Sequence, residues 1–236
     1  MASQRSFVTG ASRGLGLEFV RQLLARGDRV VATCRHPGKA SALNALAGEH
    51  PGRLHVLPLD VADPRAIAEV ARELLLLDDD AGDQIDLLVN DAGVLHSGER
   101  FGSVGAANLD DSFRINAMGP FLLTQALAPR LADGARVANI TSQLGSIANT
   151  TRFGTPSYNI SKAAQNMATA LLAAALRERG ITVVALHPGW VQTDMGGAGA
   201  TVTPEQSVAG LLRVIGGLKP SDSGRFLDWR GQSLPW

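Results

Sequence analysis

Short apolar runs alternate along the chain with longer segments in which apolar residues recur every three or four positions. The short runs predict strands and the longer segments predict helices. We expect strands at 7–9, 29–33, 54–59, 85–89, 137–140, 181–186 and 224–229, and helices from about 15 and at about 64–77, 108–131, 158–176 and 204–215. Because strands joined by helices pair in parallel, this order predicts one α/β domain, with a doubly wound, mostly parallel sheet of about seven strands and helices on both faces.

Local signals mark where several of these elements begin. Asp63 is a predicted N-cap, and residues 203–206, Thr-Pro-Glu-Gln, have the pattern of a capping box. The three aspartates at 78–80 predict a solvated loop, and the glycine-rich segment 190–200, which lacks periodicity, is a candidate lid. Ligands of parallel sheets bind outside the carboxyl ends of the strands, so polar residues at those ends are the candidates for function.

A glycine loop follows the first predicted strand. Gly10, Gly14 and Gly16 have the spacing G-x-x-x-G-x-G, which differs from the common dinucleotide fingerprint G-x-G-x-x-G. Glycines let the backbone approach a pyrophosphate closely, and the N-terminus of the next helix presents N–H groups to it. The alternative is a turn that only links the strand to the helix.

The end of the second strand indicates the type of dinucleotide. An acidic residue there binds the ribose 2′-hydroxyl of NAD, whereas an arginine accommodates the 2′-phosphate of NADP. This chain has Arg35 at that place and Arg13 inside the glycine loop, so two guanidinium groups are able to converge on one phosphate. Taken alone, either arginine is better interpreted as a solvated surface residue. Asp60, followed by Val61 at the end of the third strand, is a candidate contact for the adenine.

Tyr158 and Lys162 are the strongest candidates for catalysis. Tyr158 is the only tyrosine in the chain, and Lys162 lies one helical turn beyond it. A neighbouring ammonium group stabilises a phenolate, so the pair predicts a tyrosine whose pKa is lowered toward neutral pH and which exchanges a proton with a carbonyl oxygen. The same spacing also arises by chance between a surface tyrosine and a solvated lysine.

Two further polar positions are interpreted from their neighbours. Pro120 has no N–H group, so it is expected to leave the carbonyl of Asn116 without its helical partner and available to a water molecule. An ordinary helix kink is the alternative. His187, at the end of the sixth predicted strand, is interpreted as a strand-end residue and not as a catalytic base, because nothing nearby in the sequence would orient it.

Composition narrows the function classes. The 236 residues are 45% hydrophobic and carry 22 basic and 22 acidic side chains, so no charge excess indicates a nucleic-acid or membrane partner. The single cysteine, Cys34, fits a reducing compartment. Residues 1–6 lack the pattern of a signal peptide, and no apolar run approaches membrane-spanning length. We therefore expect a cytoplasmic protein that binds neither nucleic acid nor membrane.

Taken in order, the motifs resemble those of the short-chain dehydrogenase/reductase superfamily, and they span nearly the whole chain. The motifs are Thr9-Gly10-Ala11-Ser12-Arg13-Gly14-Leu15-Gly16, Asp60-Val61, Asn90-Asp91-Ala92-Gly93, Asn116, Ser142, Tyr158 with Lys162, and Pro188-Gly189 through Thr193. Residues 187–197 and the ending Leu234-Pro235-Trp236 are similar to the C-factor or sniffer-type carbonyl reductase branch. The resemblance implies a Rossmann fold and an NADP(H)-preferring oxidoreductase that interconverts a carbonyl and a secondary alcohol.

The resemblance also implies a role for each motif residue. Tyr158 is the general acid/base, Lys162 tunes it and holds the nicotinamide ribose, Ser142 binds the substrate oxygen, and Asn116 positions a relay water. The implied cofactor contacts are Gly10, Ser12, Arg13, Gly14, Leu15, Gly16, Arg35, Asp60, Val61, Asn90, Ala92, Gly93, Tyr158, Lys162, Pro188, Gly189, Val191 and Thr193. No metal is expected. The cofactor half is expected at about 1–110, and the catalytic and substrate half at about 111–236.

Two departures from the family pattern leave questions open. Asp91 stands where the family usually has a second asparagine, which puts a sheet-bracing contact in doubt but no catalytic role. The long interval between Ser142 and Tyr158 leaves Ser146 as a competitor for the serine role.

The expected partner is a small, apolar carbonyl or alcohol. The residues that suggest an apolar pocket are Leu95, Leu144, Phe153, Trp190 and Met195. The family resemblance also implies a homo-oligomer, a dimer or tetramer, formed through the helices near 108–131 and 158–179. The alternative function is a dinucleotide-binding sensor or signalling protein in which catalysis is incidental. The complete set of four catalytic residues argues against that alternative.

Overall fold

The computed structural model describes residues 4–77 and 84–236, which form a seven-stranded parallel sheet covered by helices on both faces. The strands are β1 Arg5–Val8, β2 Arg29–Cys34, β3 Leu54–Pro58, β4 Ile85–Asn90, β5 Leu131–Ile140, β6 Thr182–His187 and β7 Phe226–Asp228. The α-helices are α1 Gly14–Arg26, α2 Ser41–Glu49, α3 Pro64–Leu76, α4 Ala106–Phe113, α5 Gly119–Leu127, α6 Pro156–Ala175 and α7 Pro204–Gly217. The loop predicted at 78–80 lies outside the described residues.

The order of the strands locates the functional edge of the sheet. The order is β3-β2-β1-β4-β5-β6-β7, so the chain runs outward in one direction from β1 and in the opposite direction from β4. The connections after β1 and β4 therefore diverge and leave a crevice above their carboxyl ends. The predicted fold class and number of strands are confirmed.

Alternation along the inner strands divides the core into two layers. In β1, Phe7 packs with the layer formed by α3, α5 and α6, whereas Val8 packs with the layer formed by α1 and α7. In β2, Val31 and Ala32 divide in the same way. Both faces of these strands are buried, which explains why their sequences are almost continuously apolar.

The helix predicted at 108–131 is wrong in its extent, because it ends at Leu127 and β5 begins already at Leu131. Leu131 is fully buried and pairs with Ile85 at the start of β4. The β4–β5 register then shifts, so that Leu87 pairs with Arg136. The intervening polar Asp133-Gly134 resembles a loop, and it concealed the first half of the strand.

A π-helical turn, Arg114–Met118, joins α4 to α5. The N–H of Gly119 donates to the carbonyl of Arg114, five residues back, and Pro120 follows directly. The disturbance predicted near Pro120 is therefore present, but it is a widened turn and not a simple kink.

Other helix signals have mixed outcomes. The Asp63 side chain accepts from the Arg65 N–H, and Thr203 and Gln206 form the reciprocal capping box, as predicted. Helix α2 was not predicted, because Leu43 is its only buried residue and its apolar face is short. Within 4–77 and 84–236, no helix is long and apolar enough to cross a membrane.

A substitution at Gly119 tests the packing at the start of α5. A Cβ atom there would lie 2.6 Å from the carbonyl oxygen of Val61, so Gly119→Ala should destabilise the fold by about 1–3 kcal/mol. Gly216→Ala in α7 is the control, because its Cβ would meet nothing within 4 Å and alanine favours the helix by about 0.5–1 kcal/mol. Urea unfolding should show opposite signs for the two variants. A stable Gly119→Ala protein would mean that the contact is looser than described.

Candidate active site

A cleft of about 590 Å³ opens above the carboxyl ends of β1 and β4. Most of the predicted site residues line it: Gly10, Ser12, Arg13, Gly14, Leu15, Arg35, Asp60, Val61, Ala92, Gly93, Tyr158, Lys162, Pro188 and Thr193. Six predicted residues do not line this cleft: Gly16, Asn90, Asn116, Ser142, Gly189 and Val191. The contacts of these six explain where each belongs.

The glycine loop is packed so closely that side chains are excluded at two positions. Gly10 has φ 69°, and a Cβ atom on it would lie 2.9 Å from the Cα atom of Ala92. A Cβ atom on Gly16 would lie 2.4 Å from the carbonyl oxygen of Gly10. Helix α1 has no side-chain cap at Arg13, so the start of the helix faces the cleft without a capping side chain. This arrangement suits a pyrophosphate group.

Thr9 fixes the loop to the neighbouring strand. Its hydroxyl oxygen accepts hydrogen bonds from the N–H groups of Asp91 and Ala92, both at 3.0 Å. The N–H of Ala11 donates to the carbonyl of Thr33 on the other side, at 2.9 Å. The loop is therefore attached to both neighbours of β1 before any ligand binds.

The two arginines predicted to meet a phosphate both line the cleft, and among residues 4–77 and 84–236 Arg13 has an ion-pair partner whereas Arg35 has none. Arg13 donates to Asp194 at 3.0 Å, and both side chains are exposed. An exposed ion pair of this kind contributes little and is readily exchanged for another anion. Arg35 is exposed directly after β2. Asp60 is also exposed, and its carboxylate accepts from the N–H of Ala62.

Asn90 and Asp91, adjacent at the end of β4, face different surroundings. The Asn90 side chain is buried and donates to Asn139 at 2.8 Å and to Thr124 at 3.2 Å, and Asn139 donates on to Thr169 of α6 at 2.9 Å. The sheet-bracing contact that Asp91 put in doubt is thus made by its neighbour. Asn90 braces the sheet, and its side chain is engaged away from the predicted cofactor.

Ser142 and Tyr158 are brought together by the turn after β5. The hydroxyl of Ser142 lies close to the phenol of Tyr158, and Ser142 Oγ accepts a hydrogen bond from the N–H of Leu144. Ser146 is engaged elsewhere, because its hydroxyl accepts from Asn149 and donates to the carbonyl of Trp236 at the C-terminus. Proximity to Tyr158 therefore favours Ser142 over Ser146 for the serine role, which stays a prediction.

The predicted lowering of the tyrosine pKa is not what the structure shows. Burial raises the pKa of Tyr158 to about 12, the hydrogen bond with Ser142 lowers it, and the charge of Asp91 raises it. The ammonium of Lys162 lies 5.6 Å from the centre of the tyrosine ring. Spacing on the helix placed the lysine correctly, but burial outweighs its attraction for a phenolate.

Lys162 is itself buried and held by two acceptors. Its Nζ atom donates to the carbonyl of Ile140 at 2.8 Å and to the side chain of Gln165 at 2.9 Å. Burial lowers the pKa of Lys162 to about 8, while the charge of Asp91 raises it. An ammonium group has three donors, so one remains beyond these two bonds. A Cβ atom on Gly93 would lie 3.8 Å from Nζ, so the lysine is close to the cleft wall.

Asn116, in the π turn, acts as a clamp between two segments. Its side chain accepts from the Val94 N–H at 2.8 Å and donates to the Val94 carbonyl at 2.9 Å. It also donates to the hydroxyl of Ser161 at 2.9 Å, which in turn donates to the carbonyl of Tyr158. The side chain thus joins the segment after β4 to α6, and the proposed relay role is left to its main-chain carbonyl.

A contact that the sequence did not indicate caps the helix that carries Tyr158. The Glu99 carboxylate accepts from the N–H and the hydroxyl of Ser157, at 3.1 and 2.7 Å. The natural N-cap, Thr155, has φ 41° and makes no capping bond. Burial opposes ionisation of Glu99, but the bonds from Ser157 lower its pKa below the ordinary value. Only the folded chain brings these residues together, since they are 58 positions apart.

The candidate lid folds back on itself beside the cleft. Val191 pairs with Val202, and Trp190 donates to the carbonyl of Gly196 at 2.8 Å. Thr193 lies against the glycine loop, since a Cβ atom on Gly14 would be 3.6 Å from its methyl group. The segment is compact and placed to cover a ligand, and its movement stays a prediction.

The residues that precede this segment are closely packed. His187 is the last residue of β6, and burial lowers its pKa to about 4 while Asp228 raises it, so it is neutral at pH 7. Gly189 has φ 87°, and a Cβ atom there would lie 3.0 Å from the indole nitrogen of Trp229. Pro188 accepts from the hydroxyl of Ser207 at 2.6 Å.

Comparison with known proteins agrees with this geometry. A family model described as short chain dehydrogenase matches residues 4–201. C-signal of Myxococcus xanthus is 49% identical over 154 residues, which are 64% of this chain and 93% of that protein. An NADPH-bound carbonyl reductase from chicken fatty liver covers 100% of both chains with a TM-score of 0.92 and 38% identity. The carbonyl reductase Sniffer of D. melanogaster covers 99% of this chain and 100% of its own, with a TM-score of 0.94 and 30% identity.

Replacement of Glu99 tests its role as the cap of α6. Glu99→Ala should lower the free energy of unfolding by about 1 kcal/mol at neutral pH, whereas Glu99→Gln, which keeps one oxygen acceptor, should lose less. The lowered pKa means that this contribution is present at neutral pH and is lost as the pH falls through the folded-state pKa. Urea unfolding at neutral and acidic pH measures both effects. A deficit in Glu99→Ala that does not shrink in acid would rule out the charged cap.

Proposed function

The chain belongs to the short-chain dehydrogenase family, and on this premise we propose that it is an NADP-dependent carbonyl reductase. The observation that carries the proposal is the buried phenol of Tyr158, which lies with Lys162 and close to Ser142 at a cleft floored by the glycine loop. The cleft offers what a dinucleotide requires, namely close backbone approach at Gly10 and an uncapped helix start. The relatives named as carbonyl reductases, one of them NADPH-bound, support the same assignment.

The proposed mechanism assigns one task to each catalytic residue. NADPH supplies the hydride to the carbonyl carbon when it is bound. Ser142 donates to the carbonyl oxygen and holds it near Tyr158, which gives up its phenolic proton as negative charge develops on that oxygen. Since the pKa of Tyr158 is raised to about 12, the phenol carries its proton at neutral pH. The third N–H of Lys162 is then available to donate to a ribose hydroxyl, and the ammonium charge stabilises the phenolate that Tyr158 becomes.

The proton that Tyr158 gives up is proposed to be replaced from solvent by way of Lys162 and a water molecule. The main-chain carbonyl of Asn116 is proposed to hold a water molecule between Lys162 and the solvent. The widened turn at Arg114–Met118 supports this role, since π turns alter the normal pairing of helical carbonyls. The clamp from the Asn116 side chain to Val94 fixes that carbonyl relative to the cleft.

The preference for NADP(H) over NAD(H) is proposed from charge at the end of β2. Arg35 is exposed beside the cleft and no acidic residue occupies that strand end. Arg13 lies in the same cleft and can exchange its exposed partner Asp194 for a phosphate. We also propose that residues of about 1–110 form the cofactor half of the domain and residues of about 111–236 form the catalytic and substrate half.

The substrate is proposed to be apolar. Several large apolar side chains near the site are substantially exposed: Leu144, Phe153, Trp190 and Met195, with Phe101 beside Phe153. Phe101 and Phe153 meet edge to face with their ring centres 5.6 Å apart. Of the five residues predicted to form an apolar pocket, only Met195 lines the cleft itself. The others, including the half-buried Leu95, are proposed to contact the part of the substrate that extends out of the cleft.

Assembly into a dimer or tetramer in the cytoplasm is also proposed. Helix α6 exposes Ile160, Met167 and Leu171, and α4 exposes Phe113. Exposed apolar residues on neighbouring helices support an interface between copies of the chain.

A signalling function is the second candidate, because C-signal is 49% identical over 154 residues. A signalling protein has no need of a buried phenol close to a serine at the edge of a dinucleotide cleft. That arrangement supports the enzyme as the primary function. Oxidation of NADPH by the purified protein, tested on a panel of aromatic and aliphatic carbonyls, separates the two, since a signalling protein would leave every member of the panel unreduced.

Removal of the phenolic hydroxyl tests the mechanism. Tyr158→Phe keeps the ring and loses the transferable proton, so kcat should fall by about 10²-fold or more while the Kd for NADPH stays unchanged. Steady-state NADPH oxidation and fluorescence titration measure the two quantities. A Tyr158→Phe protein that retains near-normal kcat would disprove the proposed role.

Removal of the Arg35 guanidinium tests the choice of cofactor. Each charge-assisted bond to a phosphate contributes about 1.5–3 kcal/mol, so Arg35→Ala should reduce the NADPH-to-NADH ratio of kcat/KM by about tenfold or more. The wild-type ratio should also decline with added salt. Arg72→Ala, at an exposed position on α3 outside the cleft, is the matched control and should leave the ratio unchanged. An Arg35→Ala protein with undiminished preference for NADPH would contradict the assignment.

A further inference from the structure

Asp91 is an acidic side chain in the cleft for which the proposed mechanism has no use. The residue lines the cleft and is half-buried there. One carboxylate oxygen lies 2.9 Å from the place where a Cβ atom on Gly16 would be, and the Gly16 N–H donates to the carboxyl group. Its own N–H is held by Thr9 at 3.0 Å. Asp91 therefore has a fixed position between the glycine loop and the catalytic helix.

The charged groups around Asp91 leave it coupled chiefly to α6. Lys162 and Tyr158, the ionisable groups on α6, line the same cleft as Asp91, and a Cβ atom on Gly93 would lie 3.7 Å from the Asp91 carbonyl oxygen and 3.8 Å from Lys162 Nζ. The charge of Asp91 acts on both groups. From the glycine loop and α1, Arg13 is paired with Asp194, and Glu18 is paired with Arg21.

The remaining ionisable groups of the cleft have other partners or face solvent. On α4, Asp111 is paired with His96 at 2.8 Å. Arg35, Asp60 and Glu205 are exposed at the rim. Burial raises the pKa of Asp91 to about 7, and Lys162 and the Gly16 N–H lower it, so the group ionises in the neutral range.

We propose that the Asp91 carboxylate is a positioning residue that holds Tyr158 in its protonated form and so biases the site toward carbonyl reduction. The inference rests on the proposed function for its kinetic consequence, but its electrostatic basis does not. A negative charge at Asp91 disfavours a second negative charge on the phenol and favours the ammonium of Lys162. Reduction requires the phenol, whereas oxidation of an alcohol requires the phenolate.

The bias has a defined pH dependence. Above about pH 7 Asp91 is ionised and keeps the phenol protonated, and below that pH it is neutral and the influence disappears. Asp91→Asn removes the charge at every pH and keeps an oxygen that accepts from the Gly16 N–H. A unit charge in the same cleft shifts a neighbouring pKa by roughly one unit at the effective dielectric constant of about 20 that suits such sites.

Direct titration of Tyr158 tests the inference without any substrate. Because Tyr158 is the only tyrosine, its phenolate absorbance in the near ultraviolet reports one group, and Tyr158→Phe supplies the background spectrum. The phenolate of Asp91→Asn should appear about one pH unit below that of the wild type. Asp91→Ser, also uncharged, is the second variant if the first does not fold. Coincident titrations of wild type and a folded, uncharged variant would overturn the proposal.

The kinetic test uses alcohol oxidation with NADP⁺ as a function of pH. The rising limb of kcat/KM should move about one unit toward lower pH in Asp91→Asn, and the variant and wild type should converge below pH 7. Asp111→Asn is the control, because the Asp111 carboxylate is paired with His96 and substantially exposed, so solvent screens its charge and the limb should stay in place. Equal limbs in wild type and Asp91→Asn would overturn the inference. Absence of turnover in every protein would instead refute the proposed function, while the absorbance titration would still decide the role of Asp91.

Discussion

The contact between α6 and the turn after β5 is the constraint on which the site depends. Gly145 lies against the main chain of the helix, where a Cβ atom would be 2.7 Å from the carbonyl carbon of Lys162. Thr141 donates to Asn166, and Asn166 donates to the carbonyl of Gly145. These bonds bring the helix close enough for the hydroxyl groups of Ser142 and Tyr158 to meet. A side chain at position 145 would separate the two surfaces and with them the catalytic groups.

Burial at this contact also explains why the protonation states differ from those that spacing alone predicts. Burial disfavours the charged form of each group, which is the phenolate of Tyr158 and the ammonium of Lys162. The pKa of Tyr158 therefore rises, and the pKa of Lys162 falls. The carbonyl oxygen of Ile140 and the side-chain amide oxygen of Gln165 accept from Lys162 and offset part of the lost hydration of its ammonium group. The phenol of Tyr158 faces the neutral hydroxyl of Ser142. The site is therefore prepared to donate a proton.

Sequence predicted the parts of the molecule that local chemistry determines. The apolar strands, the Asp63 cap, the capping box at Thr203 and the glycine loop depend on neighbours within a few residues, and the structure contains all of them. The early start of β5 at Leu131 depends on pairing with a distant strand, and the Glu99 cap joins residues 58 positions apart. The fall of the Tyr158 pKa was mispredicted because spacing shows which groups are near but not how deeply they are buried.

The adjacent residues Asn90 and Asp91 illustrate how a strand end decides the meaning of a substitution. The Asn90 side chain belongs to a buried chain of hydrogen bonds that joins β4, β5 and α6, in which it donates to Asn139 and Thr124. A carboxylate at position 90 has no hydrogen to donate, so it could not replace the amide there. One position further on, the chain leaves the strand and faces the glycine loop. The Gly16 N–H donates to a carboxylate oxygen at position 91 as readily as it would to an amide oxygen. An aspartate is therefore compatible with the fold at 91 and not at 90, and at 91 its charge faces the catalytic helix. An aspartate in place of an asparagine at position 91 thus keeps the fold and places a titratable charge near the proton donor Tyr158.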